Sequence, residues 1–140
     1  MIPITFAHMG LNCEDPILVE KFYTKYFGFK RVRVLPIPDG QIVFVRSGNL
    51  TLELFKATEA LPIDSPQEDG YKHAGWRHIA FQVDNVDDKL NEMGDAAEIM
   101  LGPFDFDDVI PGWRAVWVAD PEGNIVEITQ GYIDQENPPS

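Results

Sequence analysis

Four side chains in this sequence have the chemistry to hold a divalent cation: His8, Glu53, His78 and Glu127. Each lies in a short run of alternating polarity. In Leu50-Thr51-Leu52-Glu53-Leu54-Phe55 the leucines share one face of a strand and Glu53 takes the other; in Ile125-Val126-Glu127-Ile128-Thr129, Val126 and Ile128 oppose Glu127. A carboxylate among apolar strand residues is costly to desolvate unless it is paired or bound to a cation. Two imidazoles and two carboxylates would balance one divalent ion. An octahedral ion would then keep two positions for water or adjacent substrate oxygens, whereas four-coordinate zinc would keep none. Such an ion can polarise a carbonyl and stabilise an enolate. Taken singly, each residue reads as an ordinary core or surface side chain; their recurrence at matching places in two halves of the chain sets them apart.

The elements that must position them repeat. Residues 5–13 alternate as a strand carrying His8. Asp15-Pro16 then forms an N-cap with proline at the first helical position, and Val19, Phe22, Tyr23 and Tyr26 keep helical spacing until Gly28. Strands are expected at 30–35, 42–46 and 50–55, separated by proline- and glycine-containing turns. The second half begins again with a strand over 76–84 carrying His78, a short helix over 85–94, and strands at 98–101, 114–119 and 125–130. The turn before the last strand is Asp120-Pro121-Glu122-Gly123. The expectation is an α+β fold of two βαβββ modules, about 4–56 and 75–131, forming a cupped mixed sheet around a metal site. A connector over 57–74 joins the modules, a tail spans 132–140, and the whole reads as a single domain.

At 140 residues, 44% hydrophobic, the chain can bury a real core. Its 23 acidic against 11 basic residues give a net charge of -12, which argues against nucleic acid or an anionic membrane surface as partner. No apolar run approaches the roughly 20 residues needed to span a bilayer. The N-terminus has no secretion-signal pattern and Cys13 is the single cysteine, so the cytoplasm is the expected location. Cys13 shares the packing parity of its strand and reads as a buried, inert thiol. Arg31 and Arg33 either meet an anionic substrate or decorate a strand. Trp113 and Trp117 are separated by parity from Arg114, and each tryptophan either lines the cup or packs as core.

The doubled βαβββ pattern, the two histidines, Glu53 in LTLELFK and the segment DPEGNIVEI ending around Glu127 together resemble the glyoxalase/bleomycin-resistance/extradiol-dioxygenase (vicinal oxygen chelate) superfamily, over roughly residues 5–130. The His-Glu-His-Glu order is similar to bacterial glyoxalase I. The resemblance implies one divalent metal ion on His8, Glu53, His78 and Glu127, with nickel, cobalt or zinc ahead of iron or manganese. It also implies a small-molecule substrate and a homodimer. The implied activity is a lyase or isomerase reaction through an enolate on a small α-oxygenated carbonyl compound, with Glu127 or Glu53 as the base. A non-catalytic small-molecule binding or resistance protein and an extradiol-type dioxygenase are the other activities the superfamily implies. Near the place where glyoxalase I commonly has an arginine that contacts glutathione, this chain has Asn12.

Overall fold

The computed structural model describes all 140 residues. The chain divides into two compact units, Met1–Ile63 and Asp64–Ser140, and each is a βαβββ module. The first comprises β1 (Met9–Cys13), α1 (Pro16–Phe27), β2 (Lys30–Ile37), β3 (Gly40–Ser47) and β4 (Leu50–Lys56). The second comprises β5 (Ile79–Gln82), α2 (Val86–Met93), a single 3-10 turn at Gly94–Ala96, β6 (Glu98–Asp105), β7 (Arg114–Ala119) and β8 (Ile125–Gln130). Their four-stranded sheets share one topology, β1-β4-β3-β2 and β5-β8-β7-β6, so in each module the first strand lies parallel to the fourth.

In the first unit Asp15 accepts hydrogen bonds from the backbone N–H groups of Ile17 and Leu18, both at 3.2 Å, and Gly28 closes the helix in the left-handed conformation, φ 70°. A helix of 12 residues is marginal alone in water. It is held by its stripe: Val19, Phe22, Tyr23 and Phe27 are buried, as are Val43, Val45, Leu52 and Leu54 of the sheet and the thiol of Cys13. Burying each large aliphatic side chain contributes about 1.5–3 kcal/mol.

The second unit follows the same plan with a shorter helix. Asn85 caps α2 by accepting from the Asp88 N–H at 2.9 Å, and Gln130 at the end of β8 accepts from Val86 N–H at 2.7 Å, which ties helix start to sheet. Arg114 reaches Asp87 of α2 and Asp105 of β6, each at 3.0 Å, so it belongs to the helix side of the sheet. The turn before β8 is built on a buried carboxylate. Asp120 accepts from Glu122 N–H (2.9 Å), Asn124 N–H (3.0 Å) and Asn124 Nδ2 (2.8 Å), while Gly123 takes φ 86°. The DPEGN segment thereby sets where β8 starts and which way Glu127 points.

Two boundaries differ from the sequence reading. Both first strands are shorter than alternation suggests, beginning at Met9 and Ile79 where pairing with Leu52 and Val126 begins. His8 and His78 therefore stand immediately before their strands. Both edge strands are longer than expected: β2 continues through Pro36 and β6 through Pro103, which is tolerated because an edge strand has one side where no N–H is needed. No helix is long and apolar enough to cross a membrane.

Candidate functional site: two matching half-sites

Within each unit the histidine before the first strand meets the glutamate in the middle of the fourth. His8 Nε2 lies 2.6 Å from Glu53 Oε1, and His78 Nε2 lies 3.6 Å from Glu127 Oε1. Strand pairing aligns a row of four positions across each sheet at the level of the glutamate. In the first unit the row is Gly10, Glu53, Phe44, Arg33; in the second it is Ala80, Glu127, Trp117, Leu101. Directly opposed residues of a ladder share a face, so each carboxylate has a small residue on one side and an aromatic ring on the other. The same ring meets the histidine edge-on: Phe44 with His8 and Trp117 with His78, both at 6.3 Å between centroids. Phe44 was invisible in the sequence because its neighbourhood depends on register, not on spacing along the chain.

The two pairs differ at the histidine: His78 is 18% exposed against 46% for His8, while the glutamates are both well covered, 19% for Glu127 and 13% for Glu53. Burial pushes the Glu127 carboxyl up, His78 pulls it down, and the nearby Asp69 raises it again; the Trp117 indole favours the charged form slightly, although its N–H is left without a formed hydrogen bond. His78 is also held from behind. Its Nδ1 is 2.6 Å from the backbone carbonyl of Asp69, which as an acceptor fixes a proton on Nδ1 and turns Nε2 towards Glu127. The Asp69 side chain is clamped by Arg77 at 2.6 Å, and the adjacent Gly70, φ 83°, lets the connector approach so closely that a Cβ there would collide with the Arg77 carbonyl oxygen. A carbonyl has no residue identity, so nothing in the sequence marked Asp69 as the orienting group.

Two donors each about 2.1 Å from one ion are separated by about 3.0 Å at a right angle and about 3.4 Å in a tetrahedron. The observed 2.6 and 3.6 Å bracket these values, so side-chain adjustments of about half an ångström would fit each pair to a divalent cation. Within neither unit do three His, Cys, Asp or Glu side chains gather to hold a metal ion; each unit has one imidazole beside one carboxylate.

Of the other residues weighed from sequence, Arg31 and Trp113 serve as anchors and Trp117 shares the face of Glu127. Arg31 is bound in a fork by Glu20 of α1, at 2.6 and 2.9 Å. Trp113 donates to Thr129 Oγ1 at 3.0 Å and packs against Phe106 and Tyr132. Trp117 lines the face that carries Glu127, in a buried cluster with Ala115 and Ile125 against which Met100, Leu101 and Phe106 pack.

A family model of the Glyoxalase/Bleomycin resistance protein/Dioxygenase superfamily matches residues 5–128, and the chain belongs to that superfamily. Among solved structures it is similar to a lactoylglutathione lyase from Agrobacterium tumefaciens, with 26% identity, TM-score 0.60 and coverage of 92% of this chain and 96% of the other. A glyoxalase/dioxygenase from Nostoc punctiforme aligns at 21% identity with TM-score 0.69, over 95% of this chain and all of its own length (100%). The antibiotic binding protein TnmS3 from Streptomyces sp. CB03234 aligns at 21% identity with TM-score 0.63, covering 94% and 100%. The last two likenesses concern the fold alone. No curated protein matches the chain.

Proposed function

We propose that the chain is a metal-dependent, glyoxalase-like lyase or isomerase acting through an enolate on a small α-oxygenated carbonyl compound. His8, Glu53, His78 and Glu127 are its ligands for one divalent ion, within one chain or across a homodimer. The observation that carries this reading is the recurrence of the His–Glu pair, with its flanking ring and small residue, at the same place in both modules. Nickel, cobalt or zinc suits two nitrogen and two oxygen donors. When bound, the ion would act as a Lewis acid on a carbonyl.

The chain's own residues supply the rest. The Asp69 carbonyl keeps His78 in the ligating tautomer. Phe44 and Trp117 keep water from one flank of each pair, and Gly10 and Ala80 leave room on the other. Glu127, whose partial burial favours its protonated form, is suited to take a proton from the carbon beside the carbonyl and return it to the neighbouring one. Glu53 is the second candidate for that base.

Glu127→Gln and Glu53→Gln, each loaded with nickel, test the proposal. Each keeps an oxygen donor, and the substitution that removes the base should cost roughly 10²–10⁴ in rate with little change in metal content. Solvent-deuterium exchange at the carbon next to the carbonyl is the companion measurement. The apolar cluster of Ala115, Trp117 and Ile125 on the Glu127 face favours a second reading, a non-catalytic binding protein. Tight binding of an apolar small molecule, with no exchange on α-hydroxycarbonyls, thiol hemiacetals or acyl thioesters, would establish that reading and overturn the first.

A further inference from the structure

Four of the five arginines are engaged: Arg31 by Glu20, Arg46 by Thr51, Arg77 by Asp69, and Arg114 by Asp87 and Asp105. Arg33 is exposed and has neither an ion pair nor a hydrogen bond, in a chain with 23 acidic residues to choose from. Its direction is set by the backbone. Strict alternation would put Arg31 and Arg33 on one face, but the ladder between β2 and β3 shifts register between them. Arg31 is opposite Val45, which is buried, whereas Arg33 is opposite Phe44. Val32 is the extra residue of a β-bulge, a device that re-aims the side chains on either side of it. Arg31 is thereby sent to α1, and Arg33 to the face that carries His8 and Glu53.

On that face Arg33 ends the row Gly10, Glu53, Phe44, Arg33. It stands two strand spacings, about 10 Å at the backbone, from the carboxylate, with the Phe44 ring between them. The next row is basic as well: Lys30 is opposite Arg46, and Arg46 is opposite Thr51, to which it donates at 2.9 Å. Three of the chain's 11 basic residues thus gather beside one half-site of a protein of net charge -12. The second module ends its row in Leu101.

We infer that Arg33 is a specificity-determining residue that binds an oxyanion at the far end of the substrate from the chelating oxygens. The substrate class is a small α-oxygenated carbonyl compound with a distal carboxylate or phosphate. The inference rests on the proposed function for which oxygens lie at Glu53. It assigns the opposite end of the molecule from Arg33, whose planar fork of donors matches either oxyanion.

The test compares 2-oxoglutarate with 2-oxopentanoate, which share the α-keto acid and differ in the distal carboxylate. Affinities are measured calorimetrically on the nickel-loaded full chain. Wild type should bind 2-oxoglutarate about ten- to a hundredfold more tightly, as expected for a charge-assisted hydrogen-bonded pair. Arg33→Ala should abolish that preference while nickel content and 2-oxopentanoate affinity stay unchanged. Arg31→Ala should retain it. Equal affinities in wild type, or an undiminished preference in Arg33→Ala, would overturn the inference. Nickel content, measured separately, reports on the metal reading. If the chain takes no nickel, that reading fails and the anion is followed on the metal-free protein. There 2-oxoglutarate should shift the Arg33 Nε–Hε resonance; absence of that shift would overturn the inference on its own.

Discussion

The two modules share one blueprint and differ in how finished it is. In the second, the histidine is covered and locked by a main-chain carbonyl, the glutamate's carboxyl is raised by burial, and the neighbouring ring is a buried Trp117. In the first, His8 is nearly half exposed, its neighbour is the smaller Phe44, and the row runs out to an arginine instead of a leucine. Each module holds one His–Glu pair at the same place in the same topology. The second histidine is covered and oriented, and the first half-site keeps an open histidine and a charged neighbouring surface. Rigid ligands favour tight metal capture, and open polar surface favours selection among substrates.

The comparison is broken most severely at the turn that sets β8. Asp120→Ala leaves three N–H donors without their acceptor and should cost about 2–4 kcal/mol, read as a lowered urea midpoint. The corresponding turn of the first module has no buried carboxylate, so Asn49→Ala should stay within about 0.5 kcal/mol of wild type. Equal effects at the two turns would show that the modules are built alike after all. A smaller effect is expected behind His78. Gly70→Ala would force the connector away from Arg77 and with it the Asp69 carbonyl, weakening nickel binding about 10- to 100-fold, the usual range for lost ligand orientation. Nickel titration of that variant against wild type checks it.

The smallest effect concerns the desolvated glutamate in metal-free protein. Because the folded chain holds the Glu127 carboxyl above its ordinary value of 4.5, the folded state binds the proton more tightly than the unfolded state. The metal-free fold should therefore lose stability as pH rises from the ordinary carboxylate range through the folded pKa, and then level off. Glu127→Gln removes that loss. Chelator-treated variant and wild type should match at acid pH, with the variant ahead at pH 7 by less than about 1 kcal/mol, the partial exposure of the group screening the effect. A wild type that is the more stable at pH 7 would contradict it.

Much of this was legible in the sequence, and the parts that were not share a physical cause. Glu53 and Glu127 could be read because strand parity separates a carboxylate from the leucines beside it, and Asp15-Pro16 and Gly28 because helix ends have their own residue chemistry. The histidines were placed within strands, yet alternation continues past the point where a partner strand begins, so they stand just outside. Phe44, the Asp69 carbonyl and the bulge at Val32 were hidden because each depends on a partner distant in the chain. Register and backbone acceptors leave no mark in residue order.

The bulge at Val32 makes the side chain that reaches the Glu53 face depend on spacing instead of composition. If it moved two positions along β2, Val32 would oppose Phe44 and Arg33 would turn towards the helix, exchanging a cation for an aliphatic group on the ligand face with every residue kept. Relatives that differ by an insertion or deletion in this edge strand can therefore change which side chain the face presents while Glu53, two strands away, and His8 stay in place.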